Sequence, residues 1–396
     1  MKKTVEKLTA AVLLSATVLS VAGCGNGDAK GTDAMTGDTT TQATVETVSD
    51  TTPETTPETE TPAITSITLL TPTDGQKDIV LASAPIVKHM NARFRQLKDP
   101  NFGYAKEELC TPPAVTFTWS DEDAAEGKEY RLMLSENEDM SDALRFKVTT
   151  TSLDVYNLKV GTKYYWNVSS TEGTTKTFSF KTESGYPRFI KADNISNMRD
   201  LGGYKTLDGM YIKQGIVYRS AQLEDANEYG RNVVLKDLGI KTDLDLRGAA
   251  GGSAIPGLNK ISIPLKWYQH IFDEANKADV KRTMLAFADE NNYPILFHCS
   301  LGRDRTGTTA FLLLALCGVD EETIVRDYYT SFYSAQGNFS AQELAGAVQN
   351  IAWLTEGLNN FGTEEDTLQI KVKNYLISTG LTEQDLAKIR DILVTA

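Results

Sequence analysis

Side chains that bind transition metals are scarce in this chain. Its 396 residues hold three histidines (His89, His270, His298) and four cysteines (Cys24, Cys110, Cys299, Cys317). No C-x-x-C or H-E-x-x-H pairing occurs among them, and those are the spacings that gather zinc ligands on one turn or one helix face. No metal site is therefore expected, and nothing in the sequence calls for a cofactor. Positive charge is also in deficit: 40 Lys and Arg stand against 53 Asp and Glu, a net charge of −13. Such a balance argues against nucleic acid as a partner, because phosphate-backbone binding needs a basic surface.

What the chain does have is the run His298-Cys299-Ser300-Leu301-Gly302-Arg303-Asp304-Arg305-Thr306-Gly307. An apolar strand, Pro294 to Phe297, leads into it, and an apolar helix, Thr308 to Cys317, leads out. A bare C-x5-R is a weak signal; one flanked by His, Gly, Thr and Gly between a strand and a helix is strong. A tight turn at a helix N-terminus can aim several backbone N–H groups at one point, where the helix dipole adds positive charge. Ser300, Leu301, Gly302, Arg303, Asp304, Arg305 and Thr306 thus form a candidate phosphate cradle. Arg305 can fork two hydrogen bonds onto phosphate oxygens. The same field favours a thiolate, which makes Cys299 the candidate nucleophile. Thr306 can donate its hydroxyl toward the sulfur when a phosphocysteine is hydrolysed, and His298 is expected to hold the loop through backbone hydrogen bonds. The bland alternative, a buried cysteine beside a surface arginine, leaves the ordered strand, turn and helix unexplained. Cys317 lies on the apolar helix face and reads as core. Cys110 has no obvious partner.

The chain opens with Met1-Lys2-Lys3, continues with an apolar run from Leu8 to Val21, and reaches Val21-Ala22-Gly23-Cys24. The run is too short to span a bilayer and reads as a secretory signal, residues 1–23. Small residues directly before a cysteine resemble the lipobox of bacterial lipoproteins. That resemblance implies lipidation of Cys24 and a place on the extracellular face of a bacterial membrane. Residues 24–63 are rich in Thr, Glu, Asp, Gly and Pro. They cannot bury enough apolar surface to fold, and read as an acidic tether.

The remaining stretch of about 330 residues suggests two domains. Between 64 and 183, short alternating runs such as Ala114–Trp119, Glu129–Leu134, Lys163–Val168 and Lys176–Phe180 predict an all-β sandwich. Through Trp119, Tyr130 and the Gly161–Trp166 run this segment resembles a fibronectin type III module. Residues 84–112 fit that pattern poorly and read as an inserted helix and loop. No catalytic constellation stands out in this half, which reads as a spacer or docking module. From 187 to 396 strands and helical patterns alternate, which predicts an α/β domain with a sheet flanked by helices. Its strands would include 240–246, 260–263 and 295–298, with apolar helical stripes at 283–289, 308–317, 341–358, 368–377 and 383–393.

Four motifs in this second half carry one further resemblance: Asn197-Met198-Arg199-Asp200-Leu201-Gly202-Gly203-Tyr204, Gly215 to Ser220, Ile240 to Arg247, and the cradle. In order and spacing they resemble the bacterial tyrosine-phosphatase-like family, whose loop reads H-C-x-x-G-K-D-R-T-G. The resemblance implies a cysteine phosphatase with Cys299 as nucleophile and Arg305 as clamp. Its implied substrates are phosphorylated proteins (on tyrosine, and on serine or threonine) and phosphoinositides. Asp304 matches a loop aspartate that such enzymes use as general acid, and Arg303 stands where the family has lysine. Asp273, in the 267–274 loop, is the alternative acid, since Arg303 and Arg305 beside Asp304 favour its charged form. Arg199, Arg219 and Arg247 read either as cations and supports around the loop or as salt bridges with Asp200 and Asp245. Two other functions stay open: hydrolysis of inositol polyphosphates of the phytate type, and an adhesive lipoprotein with an inactive phosphatase fold.

Overall fold

A computed structural model describes residues 44–45, 66–92, 108–335 and 341–395, all within the unit Ala43–Ala396. The expected signal segment, Cys24 and all of the tether except Thr44–Val45 lie outside the described residues.

In the first half, apolar–polar alternation sorts side chains to opposite strand faces. Along Val115–Asp121, Val115, Phe117 and Trp119 are buried while Thr116 and Ser120 are exposed. This strand lies between Ile67–Thr71 and Ser152–Val155 in an antiparallel three-stranded sheet. A larger sheet runs Thr44–Val45, Leu144–Val148, Tyr130–Ser135, Lys163–Ser170, Phe178–Thr182, Gln76–Ile79, with Gly173–Thr174 beside Lys163–Ser170. Its last pair is parallel. One apolar cluster takes Ile67, Leu69, Phe117 and Trp119 from the small sheet and Leu132, Phe146, Trp166 and Phe180 from the large one. The inserted segment carries a helix, Ala84–Asn91, opened by a proline in its first turn. That placement suits proline, whose missing N–H has no helical acceptor there.

The second half is an α/β fold around a mixed five-stranded sheet flanked by helices. Its order is Arg199–Asp200, Val217–Ser220, Ile295–His298, Thr242–Asp245, Asn259–Ser262. The first pair is antiparallel and the rest are parallel. Ile295–His298 is central and buried along its whole length, which is why it reads as an unbroken apolar run. It delivers the chain into the cradle and the helix Asp304–Leu316, whose residues Thr306 to Leu316 are all buried. The helix starts four residues before the apolar stripe at 308, because the last residues of the motif themselves form its first turn. Helices 341–358 and 383–393 have the expected limits. Two strands are shorter or shifted relative to the apolar pattern, at 242–245 and 259–262.

Candidate active site

The loop after Ile295–His298 turns its carbonyls outward. The Cys299 oxygen lies 3.2 Å from His298 Nδ1, and the Ser300 oxygen accepts from the Gln222 N–H at 3.1 Å. Asn197 Nδ2 donates to the Leu301 and Gly302 oxygens at 3.2 and 3.1 Å, and Arg219 Nη2 adds a third bond, 2.9 Å, to the Gly302 oxygen. With the carbonyls so held, the N–H groups of Ser300, Leu301, Gly302, Asp304, Arg305 and Thr306 donate to no acceptor among the described residues. They are the free amides of a helix N-terminus and the turn before it, which together suit an anion. Gly302 makes the turn possible. Its φ is +66°, and a Cβ there would stand 2.4 Å from the Ser220 carbonyl oxygen.

Cys299 sits at the base of this cradle with 2% of its surface exposed. Arg305 donates from Nε to the Leu265 carbonyl at 3.1 Å, and its guanidinium lies 4.3 Å from the centre of the Trp267 ring. One edge and one face of the fork are thereby fixed, and neither terminal nitrogen has a hydrogen-bond partner among the described residues. His298 is anchored on its other side too: Nε2 lies 2.8 Å from Asp243 Oδ1. Both neighbours of the ring are acceptors, so it acts as a donor that pins the loop. The Thr306 hydroxyl is buried without a hydrogen-bond partner. It is therefore uncommitted and can still turn toward the Cys299 sulfur, the role expected of it during hydrolysis of a phosphocysteine.

Behind the loop lies a closed ionic group. Asp327, from the helix Glu321–Thr330, accepts from Arg199 Nε at 2.9 Å, Arg219 Nη1 at 2.7 Å and the Tyr204 hydroxyl at 3.0 Å. Both arginines are 0% exposed. They therefore brace the loop from behind and do not form a solvent-facing cation ring. Burial works against the Asp327 charge, but Arg199 and Arg219 outweigh it and hold the carboxyl below its ordinary value. Burial, reinforced by Arg199, brings Arg219 down to about 10. Asp200 does not pair with Arg199. Consecutive strand residues face opposite ways, and Asp200 is held by Arg188 at 2.7 Å and by the Gly202 and Gly215 N–H groups at 2.8 and 2.6 Å.

At the rim, Arg247 does pair with Asp245, two residues before it, and reaches Glu224 at 2.6 Å; Lys260 approaches Asp245 at 3.1 Å. Burial opposes the Asp245 charge, but Arg247, His298 and Lys260 bring the carboxyl down to about 2. Asp304, the first helical residue, accepts from Arg303 Nε at 2.8 Å and from the Tyr268 hydroxyl at 2.5 Å. Tyr268 in turn lies 2.6 Å from the Tyr328 hydroxyl. Arg303 is thus spent largely on its neighbour. Asp273 is 62% exposed and its carboxylate meets only His270 among the described residues, at 3.3 Å. Reading the residues alone missed Asn197 as a loop support, along with Gln222, Tyr268, Tyr328 and Asp327. The last carried one signal: a lone acid flanked by Ile324, Val325, Tyr328 and Tyr329 on a helix.

A buried cysteine, an arginine six positions on and a helix N-terminus thus meet in one loop, the parts that a cysteine-centred phosphate site requires. A model of the family described as "Tyrosine phosphatase family" matches residues 190–395, and the chain belongs to that family. A Cupriavidus necator protein named "Putative tyrosine-protein phosphatase" is 30% identical over 170 residues, covering 35% of this chain and 61% of that one. A Nostoc commune protein named "Tyrosine-protein phosphatase" is 28% identical over 145 residues, covering 30% of this chain and 49% of that one. The chain thus spans between about half and three fifths of these relatives' length. The catalytic core of the yeast PP-IP phosphatase SIW14, solved with citrate, aligns at 17% identity with a TM-score of 0.25. That alignment covers 35% of this chain and 89% of the yeast one. Among the described residues no cluster of His, Cys, Asp or Glu could hold a metal. No described helix is long and apolar enough to cross a membrane.

Proposed function

We propose that the chain hydrolyses phosphomonoesters through a phosphocysteine intermediate. The thiolate of Cys299 attacks phosphorus in line while the bond to the leaving oxygen breaks. The loop amides and Arg305 take up the charge on the equatorial oxygens. Asp304 gives a proton to the leaving oxygen, then accepts one from the water that cleaves the S–P bond and releases phosphate. The observation that carries this reading is a loop whose carbonyls are held by Asn197, Arg219 and Gln222 while the N–H groups of Ser300, Leu301, Gly302, Asp304, Arg305 and Thr306 have no acceptor among the described residues, next to a buried cysteine. Asp304 is preferred over Asp273 because it begins the helix at the cradle, whereas Asp273 is mostly in solvent.

The proposed substrates are phosphotyrosyl proteins, with phosphoserine, phosphothreonine and phosphoinositides as further candidates. Residues 187–396 are the catalytic part. Residues 64–183 are read as a fibronectin type III-like module, supported by the apolar cluster its two sheets share. A signal segment to residue 23, lipidation at Cys24 and a tether to residue 63 would hold the enzyme at the outer face of a bacterial membrane. Hydrolysis of an aryl phosphate tests the chemistry: the rate is expected to drop to background in Cys299→Ser, and a wild type without activity overturns the reading. Specificity constants for a phosphotyrosyl peptide, a soluble phosphoinositide and phytate then rank the substrates.

A further inference from the structure

Glu108 lies in the inserted segment, well before the residues that the family model matches, yet its carboxylate touches the support of the phosphate loop. One oxygen accepts the Cys110 thiol at 2.8 Å and the Asn197 N–H at 2.9 Å. The other accepts the Ser196 hydroxyl at 2.5 Å and the Ala335 N–H at 2.7 Å. Four donors fill the acceptor positions of an ionised carboxylate. Burial and then Glu108 push the Cys110 thiol well above its ordinary value, so it serves as a neutral donor.

Asn197 transmits this grip. Its φ is +58°, in the left-handed region that asparagine tolerates better than most residues. Its side chain donates to the Leu301 and Gly302 carbonyls and accepts from Arg199 Nη1. We propose that Glu108 is a positioning residue for the phosphate loop. It fixes the Asn197 backbone, and the Asn197 side chain then holds two loop carbonyls outward, which keeps the neighbouring amides aimed inward. The proposal rests on the reading of the loop as a phosphate cradle.

The segment around Glu108 is itself seated on the catalytic half. Ser83 Oγ donates to the Leu109 carbonyl at 2.6 Å, and the Leu109 N–H donates to the Tyr333 carbonyl at 2.8 Å. Ala82, Ile86 and Cys110 share a small apolar cluster with Phe189. A second tie runs beside the first: Arg326 Nη1 donates to the His89 and Met90 carbonyls at 3.2 and 3.1 Å. Arg326 immediately precedes Asp327, the carboxylate that holds Arg199 and Arg219. The inserted segment therefore reaches both supports of the loop.

The test uses the full chain and inorganic phosphate as the probe. Glu108→Gln keeps the size but exchanges one acceptor oxygen for a donor. The inhibition constant for inorganic phosphate is expected to rise about tenfold, with a similar fall in kcat per active site, as small displacements of catalytic groups produce. A purely structural role would lower the folded fraction or Tm and leave the inhibition constant unchanged, which would overturn the proposal. Adding Glu108→Gln to Asn197→Ala should change the constant no further; additive effects would show that Glu108 does not act through Asn197. A measurement on the wild type needs no variant. Saturating phosphate should slow amide exchange in 108–111 and 196–197 together with 299–305, because coupling is reciprocal; protection confined to 299–305 overturns the idea. A wild type that binds no phosphate overturns both the cradle and the positioning role, whereas phosphate binding unaffected by Glu108→Gln overturns the positioning role alone.

Discussion

Two ionic groups flank the Cys299 loop, and they differ chiefly in access to water. Behind the loop, Arg199 and Arg219 share Asp327, and the three side chains are 2% exposed or less. At the rim, Arg247 shares Asp245 and Glu224, with the Arg247 side chain 17% and the Glu224 side chain 46% exposed. The rear group has paid its desolvation cost in full, with Arg219 Nε left without a hydrogen-bond partner, and depends on Asp327 as the counter-charge of both arginines. The rim group gains less from pairing and loses less when a partner leaves. The difference matches their places: the rear group holds the Gly302 carbonyl through Arg219, whereas the rim group is partly open to solvent.

The comparison is broken most severely by Asp327→Asn. The substitution keeps the shape but leaves two buried guanidinium groups without a counter-charge, at an expected cost of about 3–5 kcal/mol in urea unfolding. A loss below about 1 kcal/mol, the range of an exposed pair, would mean that the rear group behaves like the rim. Gly302→Ala comes next. A methyl group 2.4 Å from the Ser220 oxygen at positive φ should cost roughly 1–3 kcal/mol and abolish aryl phosphate hydrolysis. Retained activity in that variant would show that the cradle tolerates a different turn.

How much of this was legible follows from where the determining contacts lie in the chain. The cradle could be read because strand, turn and helix are contiguous from Ile295 to Leu316, so local patterns specify it. The Asp245–Arg247 pair was legible for a similar reason, since the two residues are adjacent across the turn that ends the strand Thr242–Asp245, where the Arg247 N–H also donates to Asp245. Alternation along a strand, applied to Arg199 and Asp200, would have excluded their pairing in advance. Asp327 and Glu108 were not legible. Each meets the loop or its supports across more than 80 residues of sequence (Asp327 to Arg219 is 108 apart, Glu108 to Asn197 is 89 apart). No local periodicity encodes such contacts. The first half was read as a spacer or docking module because its own strands carry no reactive cluster. Its contribution appears only where it meets the second half, as when Arg188 binds the Asn157 and Leu158 carbonyls together with Asp200.

Glu224→Gln has the smallest expected effect and sharpens the comparison from the exposed side. Burial opposes the Glu224 charge, but the Arg247 hydrogen bond outweighs it and lowers the carboxyl from its ordinary 4.5. A group whose folded value is depressed adds stability above its unfolded value and loses it as the pH falls through the folded one. Wild type should therefore exceed Glu224→Gln by about 0.2–1 kcal/mol near neutral pH, and the gap should close as the pH drops below 4.5. High salt should shrink the same gap, because solvent and ions reach this pair. Urea unfolding at neutral and acid pH, each with and without salt, measures both dependences. Asp327→Asn under the same salt series provides the contrast: its loss should be nearly independent of salt, since no ion can enter between Asp327 and the two arginines. Equal salt sensitivity at both sites would remove burial as the explanation for the difference between them.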